Sequence, residues 1–344
     1  MKNRRFLIVR TDRIGDVVLS TPVIEALRRG YPDSFIGMMV SPKTRELVEG
    51  NPYLNKTITF DKKKHKGVFG GLRFAAILRK KRFDTALVLH PTVRAHVLLW
   101  LSGIPERIGY DKKLGILLTK KIKHRKQLGE KHESEYSLDL LKHVGVKAEG
   151  LKPFVPVSAK DRAAVGAVLK KYAIDKKELV IVHPGASCPS KRWPTEAFAE
   201  VADEIAVKFN KKIAIIAGED NAAFAARMKS GMRQKALDVA GKFSLGEVSA
   251  LLENSCLLVS NDSGPAHMAA ALGVPVVAIF GRKQPGLGHK RWGPVGDKNA
   301  ILHKDAGCEV CLAHECKNGF KCLRAVSPAE VIEAAGRLLR AAHE

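Results

Sequence analysis

The feature that most constrains this chain is an alternation, run twice, of short apolar strand patterns with helical ones. In the first half, RFLIVR, SFIGMMV, LNKTITF and TALVLHP have the length and composition of buried strands, and helical segments lie between them. The pattern restarts after PFVPVSAKDRAAVGAVLKKYAID with LVIVHPGAS, KIAIIAGE, CLLVSND and PVVAIFG. Strands that are apolar throughout and alternate with helices imply parallel sheets covered on both faces. A chain of 344 residues with 45% hydrophobic content can fill two such cores. The expected fold class is therefore α/β, with two doubly wound domains facing each other across a cleft. We place an amino-terminal domain at 1–160 and a carboxyl-terminal domain at 161–326. A tail helix at 327–344, opened by Ser327-Pro328, is expected to pack back on the amino-terminal domain.

Several function classes are excluded. A membrane-spanning helix needs about 20 apolar residues in succession. HVLLWLSGI is too short, and MAAALGVPVVAIFG is broken by Gly273 and Pro275. The apolar FLIV near the amino terminus is cut off by Arg10, Asp12 and Arg13, so it does not read as a secretory signal, and the expected compartment is the cytoplasm. No G-x-G-x-x-G follows a strand and no G-x-x-x-x-G-K-[ST] occurs, which argues against a standard dinucleotide site and a P-loop.

The formal net charge of +24 calls for anionic partners: nucleic acid, lipid headgroups or phosphorylated substrates. Basic residues are dense in DKKKHKGVFGGLRFAAILRKKRFD and DKKLGILLTKKIKHRKQLGEKHE. A solvated face is the plain reading of such runs. Val68, Phe69, Leu72, Phe74, Ile77 and Leu78 interleave with the charges, however, and this mix suits a membrane surface. No nucleic-acid motif accompanies the charge, and only 6% of residues are aromatic, so no specific nucleic-acid partner is expected.

In open α/β sheets, ligands bind beyond the carboxyl ends of the strands. Four polar clusters fall there: RTDRIGD, HPGAS, AGE and SNDSGPAH. In the first, Gly15 is read as permitting a tight turn and Asp16 as starting a helix. An ionised Asp in a cleft can take a proton from a substrate hydroxyl. Asp12 competes for that role, and helix capping is the bland alternative. In the second, Gly185, Ala186 and Ser187 form a small-residue turn whose N–H groups can approach a phosphate. Lys191 follows, placed to neutralise a diphosphate or simply to lie in solvent. Glu219 of AGE can accept ribose hydroxyls or favour a helix start. In the fourth, the N–H groups of Ser263 and Gly264 open a helix and can hold a diphosphate. Asp262 is read as the N-cap of that helix, able also to reach sugar hydroxyls, and His267 faces either the phosphates or the core. Cys308, Cys311, Cys316 and Cys322, spaced C-x2-C-x4-C-x5-C, leave a structural metal and free or redox-active thiols both open.

Taken in order, these blocks resemble glycosyltransferase family nine, the bacterial lipopolysaccharide heptosyltransferases. RTDRIGDVVLSTPVIEALRRGYP is similar to the family's opening, HPGAS with KRWP to its donor-phosphate segment, and SNDSGPAHMAAALGVPVVAIFG to its most recognisable block. CEVCLAHECKNGFKCLRAVSPAEV is similar to a cysteine-bearing tail seen in many members. The resemblance implies a GT-B fold of two Rossmann-like domains and inverting transfer without metal or other cofactor. Any metal at the four cysteines would be structural. It implies ADP-L-glycero-D-manno-heptose as donor and a Kdo- or heptose-bearing lipid A core as acceptor, met at the cytoplasmic face of the inner membrane through peripheral contact. Asp16 would be the general base, with Arg13 and Gly15 toward the acceptor. Lys191, Gly185 and Ser187 would bind the donor phosphates, and Glu219 the ribose side. Asp262, Ser263, Gly264 and His267 would cradle the diphosphate and the transferred sugar. A GT-B transferase of another nucleotide sugar, an epimerase on the same fold and a non-catalytic polyanion-binding protein are the alternatives.

Overall fold

The computed structural model describes residues 4–341. They form two compact units. Unit 1 takes the chain up to Gln127 and Glu133–Pro156, and unit 2 takes Leu128–His132 and the chain from Val157 onward.

Unit 1 begins with β1 (Arg5–Val9), α1 (Ile14–Val18), α2 (Pro22–Gly30), β2 (Phe35–Val40) and β3 (Lys56–Thr59). It continues with α3 (Gly67–Lys80), β4 (Thr85–Val88), α4 (Val93–Leu101), β5 (Glu106–Asp111), β6 (Lys120–Lys123) and α5 (Glu133–Asp139). Its six strands are all parallel, in the order β3-β2-β1-β4-β5-β6. Phe6 to Val9 of the central strand are fully buried, as a strand covered on both faces requires. Phe74, Ala75 and Leu78 of α3 and Ala95, Leu98 and Leu99 of α4 build the core on one face.

Unit 2 runs α6 (Ala159–Lys171), β7 (Leu179–His183), α7 (Thr195–Lys208), β8 (Lys212–Ile215), α8 (Ala222–Ser230), β9 (Ala236–Asp238) and α9 (Leu245–Glu253). After these come β10 (Leu257–Asn261), α10 (Gly264–Ala271), β11 (Val276–Phe280), α11 (His289–Trp292), β12 (Asn299–His303), α12 (Lys321–Arg324) and α13 (Pro328–Ala341). The second sheet is also six-stranded and parallel, in the order β12-β11-β10-β7-β8-β9.

The segment after β1 forms two short helices. Pro22 has no N–H to give a preceding turn, so α1 ends at Val18 and α2 starts with Pro22 in its first turn. The tail helix α13 lies in unit 2. Val331, Ala334, Ala335 and Leu339 of α13 belong to the unit 2 core beside Phe198, Val201 and Ile205 of α7. Its apolar stripe is satisfied there, and the Trp193 indole N–H donates to the Val326 carbonyl (2.9 Å) just before it. No helix among the described residues is long and apolar enough to cross a membrane.

Each sheet has one topological switch point, where the chain returns to the middle and builds outward in the other direction. In unit 1 it lies between β1 and β4, and in unit 2 between β7 and β10. Side chains at the carboxyl ends of those strands are the ones such sheets offer to ligands.

Candidate functional site

In unit 1 the residue that follows β1 is Arg10, which is 2% exposed. A guanidinium cannot be left there without acceptors. Its Nε donates to Asp12 Oδ1 (2.8 Å), one Nη to Asp16 Oδ1, and the other to Glu133 Oε1 (3.0 Å). Glu133, on the first turn of α5, also accepts from Lys126 Nζ (2.8 Å). That ammonium lies 4.6 Å from the centre of the Tyr110 ring. His90, two residues past β4, places Nδ1 3.6 Å from Asp12 Oδ2. Three carboxylates and two cations therefore meet at the β1/β4 switch point.

The environment tunes these groups differently. Burial would lower the Arg10 guanidinium, but Asp12, Asp16 and Glu133 together hold it above its ordinary value, so it is a fixed charge. Burial pushes the Asp12 carboxyl up to about 7, against the lowering influence of Arg10. Burial and then the Arg10 charge lower His90 to about 4, so the imidazole is neutral. Asp12 is turned inward through both oxygens, toward Arg10 and His90. Asp16 meets Arg10 through Oδ1 alone, and its Oδ2 has no partner among the described residues. One oxygen is held and the other is available to a substrate hydroxyl. Arg13 is exposed just before α1. Gly15 lies within α1, so the tight turn expected at this glycine does not occur; its carbonyl accepts the Leu19 N–H (2.9 Å).

In unit 2, β7 ends at His183 and β10 at Asn261, side by side. The fully buried Asn261 amide ties the neighbouring loops together. It donates to the carbonyls of Pro184 (2.8 Å) and Gly185 (3.3 Å) and accepts the Trp193 N–H (3.0 Å). A Cβ on Gly185 would sit 2.8 Å from Asn221 Cβ, so only glycine lets the loop pass. Asp262 is 4% exposed and its Oδ2 accepts from both Lys191 Nζ (2.8 Å) and Arg282 Nη2 (2.8 Å). It is not the N-cap of α10. That position is Ser263, whose hydroxyl bonds Ser260 Oγ (2.8 Å), and no side chain caps the helix. The buried Arg282 and the half-buried Lys191 demand Asp262 as their counter-ion, and this competes with capping. The group carries one net positive charge near the amino end of α10, where the helix dipole also favours an anion.

The remaining predicted residues are not all gathered here. Gly264 opens α10 and His267 is buried within it. Ser187 is exposed on the loop after β7. Glu219 is exposed on the turn Glu219–Asn221 after β8, outside the Lys191–Asp262–Arg282 group. Cys308, Cys311, Cys316 and Cys322 are free and half-buried, with Cys308 Sγ accepting from the Asn318 amide (3.3 Å). Among the described residues no three His, Cys, Asp or Glu side chains are grouped to hold a metal ion, so the four do not form a metal cage as they stand. Arg10, Glu133, Lys126, His90 and Arg282 were not anticipated as site residues. The available signal was a basic residue directly after a buried strand, which has to find a carboxylate.

His183 supplies a pH-dependent prediction. It is 5% exposed beside Ser260 Oγ (3.4 Å), and burial lowers its imidazole to about 4. Between pH 6.5 and 4 the unfolded chain binds a proton that the folded chain refuses, so stability falls as pH falls through this window. The loss attributable to His183 is expected to reach about 3 kcal/mol at pH 4. Denaturant unfolding of the parent and His183→Gln at pH 7 and pH 4.5 checks it. The variant is expected to lose less on acidification, and equal losses would remove His183 from the account.

The two six-stranded sheets, each with charged side chains at its switch point, define a two-domain α/β protein of the GT-B glycosyltransferase type. The model of glycosyltransferase family 9 (heptosyltransferase) matches residues 72–321, and the chain belongs to this family of glycosyltransferases. It is 25% identical to lipopolysaccharide heptosyltransferase 3 of Escherichia coli K12, over 94% of this chain and 95% of that protein. It is 24% identical to lipopolysaccharide heptosyltransferase 2 of the same strain, over 97% and 98%. Among solved structures, a family 9 glycosyl transferase from Veillonella parvula is 27% identical and superposes with a TM-score of 0.88, covering 98% of each chain. The E. coli ADP-heptose lps heptosyltransferase II is 21% identical, with a TM-score of 0.81 over 99% of this chain and 100% of that one.

Proposed function

We propose that this chain transfers a heptose, with inversion, from ADP-L-glycero-D-manno-heptose to a Kdo- or heptose-bearing lipid A core in lipopolysaccharide synthesis, at the cytoplasmic face of the inner membrane. The observation that carries the reading is the division of charge between the two switch points. Unit 1 holds a carboxylate with an oxygen to spare, and unit 2 holds excess positive charge. The named heptosyltransferase relatives, aligned over nearly the whole chain, support the choice of sugar.

Asp16 Oδ2 accepts the proton of the acceptor hydroxyl while Arg10 fixes Oδ1. The acceptor oxygen then forms a bond to the anomeric carbon of the heptose. The bond from that carbon to the phosphate oxygen breaks on the opposite face, and ADP leaves with the electron pair. Lys191 and Arg282, with the N–H groups of Ser263 and Gly264 at the start of α10, stabilise the charge that grows on the diphosphate. Asp262 holds both cations in place before the donor arrives. Gly185 and Ser187 line the phosphate side, Glu219 the ribose side and His267 the sugar side, while Arg13 and Gly15 flank the acceptor.

The test is release of ADP from the donor, with and without the lipid A core acceptor. Acceptor-dependent release is expected. Release of UDP or GDP from their sugars instead would overturn the choice of donor. Lys191→Met is expected to lower kcat by about 10²–10³-fold. An unchanged kcat would remove Lys191 from the leaving-group side.

A further inference from the structure

Unit 1 displays apolar side chains where a water-exposed helix has no use for them. The inner face of α3 (Phe74, Ala75, Leu78) is buried in the core. The outer face carries apolar side chains as well, around the exposed Arg73: Val68 is 75% exposed, Phe69 88%, Leu72 44% and Ile77 41%. Residues three or four apart are neighbours on a helix, so Leu72 stands beside Val68 and Phe69, while the exposed Arg73 stands between Phe69 and Ile77. Trp100 is 54% exposed on α4, the helix that packs beside α3. Exposed apolar side chains grouped as Val68, Phe69 and Leu72 are mark an interaction surface.

The rim of the patch is basic. Lys62, Lys63, Lys64 and Lys66 precede α3, and Arg79, Lys80, Lys81 and Arg82 close it. The single acid in 61–82 is Asp61, whose carboxylate already accepts the Lys63 N–H (2.8 Å). In a parallel α/β unit the amino end of a crossover helix lies at the carboxyl edge of the sheet. Val68 and Phe69 are therefore at the same edge as Arg10 and Asp16, and Lys62 is near enough for its charge to act on His90.

From this juxtaposition we infer that the outer face of α3 docks unit 1 on an anionic lipid membrane, with Val68 and Phe69 entering the boundary between headgroups and acyl chains and the flanking lysines on lipid phosphates. The inference rests on the proposed lipid-linked acceptor and names the surface that meets it. Aliphatic and aromatic side chains within a basic rim match both components of such a membrane, its acyl boundary and its negative headgroups. A second copy of the chain would bring two basic rims together, and a nucleic acid would leave Val68 and Phe69 in water. Docking here presents the carboxyl edge of the unit 1 sheet, with Asp16, to a sugar anchored in that membrane.

The experiment is flotation of the full chain with vesicles of phosphatidylcholine alone and of phosphatidylcholine mixed with phosphatidylglycerol. The parent is expected to float only with the anionic vesicles. Val68→Ser/Phe69→Ser and, separately, Lys62→Ser/Lys63→Ser/Lys64→Ser are each expected to lower partitioning about ten-fold or more. No flotation of the parent, or equal flotation of either variant, would overturn the inference. So would light scattering that shows a dimer dissolved by Val68→Ser/Phe69→Ser while flotation is unchanged. ADP release with a delipidated, water-soluble acceptor separates this inference from the proposed reaction. Val68→Ser/Phe69→Ser is expected to match the parent there. Absence of release from every form would count against the reaction and leave the flotation result standing.

Discussion

Asp16→Asn is expected to lower kcat for acceptor-dependent ADP release by about 10²–10⁴-fold, the range for loss of a positioned general base. Asparagine has nearly the same shape, so the contact with Arg10 keeps an oxygen acceptor while the proton acceptor is lost. Affinity for ADP, which we propose unit 2 binds, is expected to be unchanged. Asp12→Asn is the necessary comparison. Asp12 gives Oδ1 to Arg10 and turns Oδ2 toward the neutral His90 imidazole 3.6 Å away, and burial lifts it to about 7. It is partly protonated at neutral pH and acts on Arg10, so its loss is expected to cost less than the loss of Asp16. Single-turnover kinetics on both variants decide the matter: a larger loss from Asp12→Asn would transfer the base role to Asp12.

Glu133→Ala is expected to destabilise unit 1 by about 3–5 kcal/mol, the cost of removing one partner from a buried ionic group. Glu133 is 1% exposed and is the counter-ion of both Arg10 and Lys126. Without it, Arg10 keeps Asp12 and Asp16, and the buried Lys126 ammonium loses an acceptor at 2.8 Å. Lys126→Met in the Glu133→Ala background is expected to recover part of the loss, because a buried cation that lost this acceptor is gone. Denaturant unfolding of the two single variants and the double variant measures this. Simple additivity would mean that Lys126 and Glu133 are not coupled. The kcat of Glu133→Ala is also expected to fall, since Arg10 orients Asp16.

Strands β1, β7, β10 and β11 were legible because a parallel strand buried on both faces is apolar at every position. The edge strand β6, KKIK, carries one apolar residue and reads as part of a charge run, and only its neighbour β5 makes it a strand. Asp16, Lys191 and Asp262 were visible as polar residues in loops after strands, because the carboxyl ends of such strands are where polar side chains collect. Their partners were not visible. Arg10 and Glu133 are 123 residues apart, and Lys191 and Asp262 are 71 apart by their numbers, with no periodicity linking them. Asp262 shows the limit plainly. Locally it reads as a cap, and it became a counter-ion because the fold brought Lys191 and Arg282 to its oxygen.

The sequence by itself determined the two parallel sheets, the loops that carry polar chemistry, and the basic, apolar-studded stretch around α3. These follow from local rules: how apolar residues repeat, and where a helix or strand has to stop. The tertiary structure alone decided which charges share a site, that Asp16 Oδ2 has no partner among the described residues, that α13 belongs to unit 2, and that Val68, Phe69 and Leu72 of α3 are exposed. Each of those depends on which surfaces meet when distant segments pack, and burial then sets the cost of every charge left without a partner.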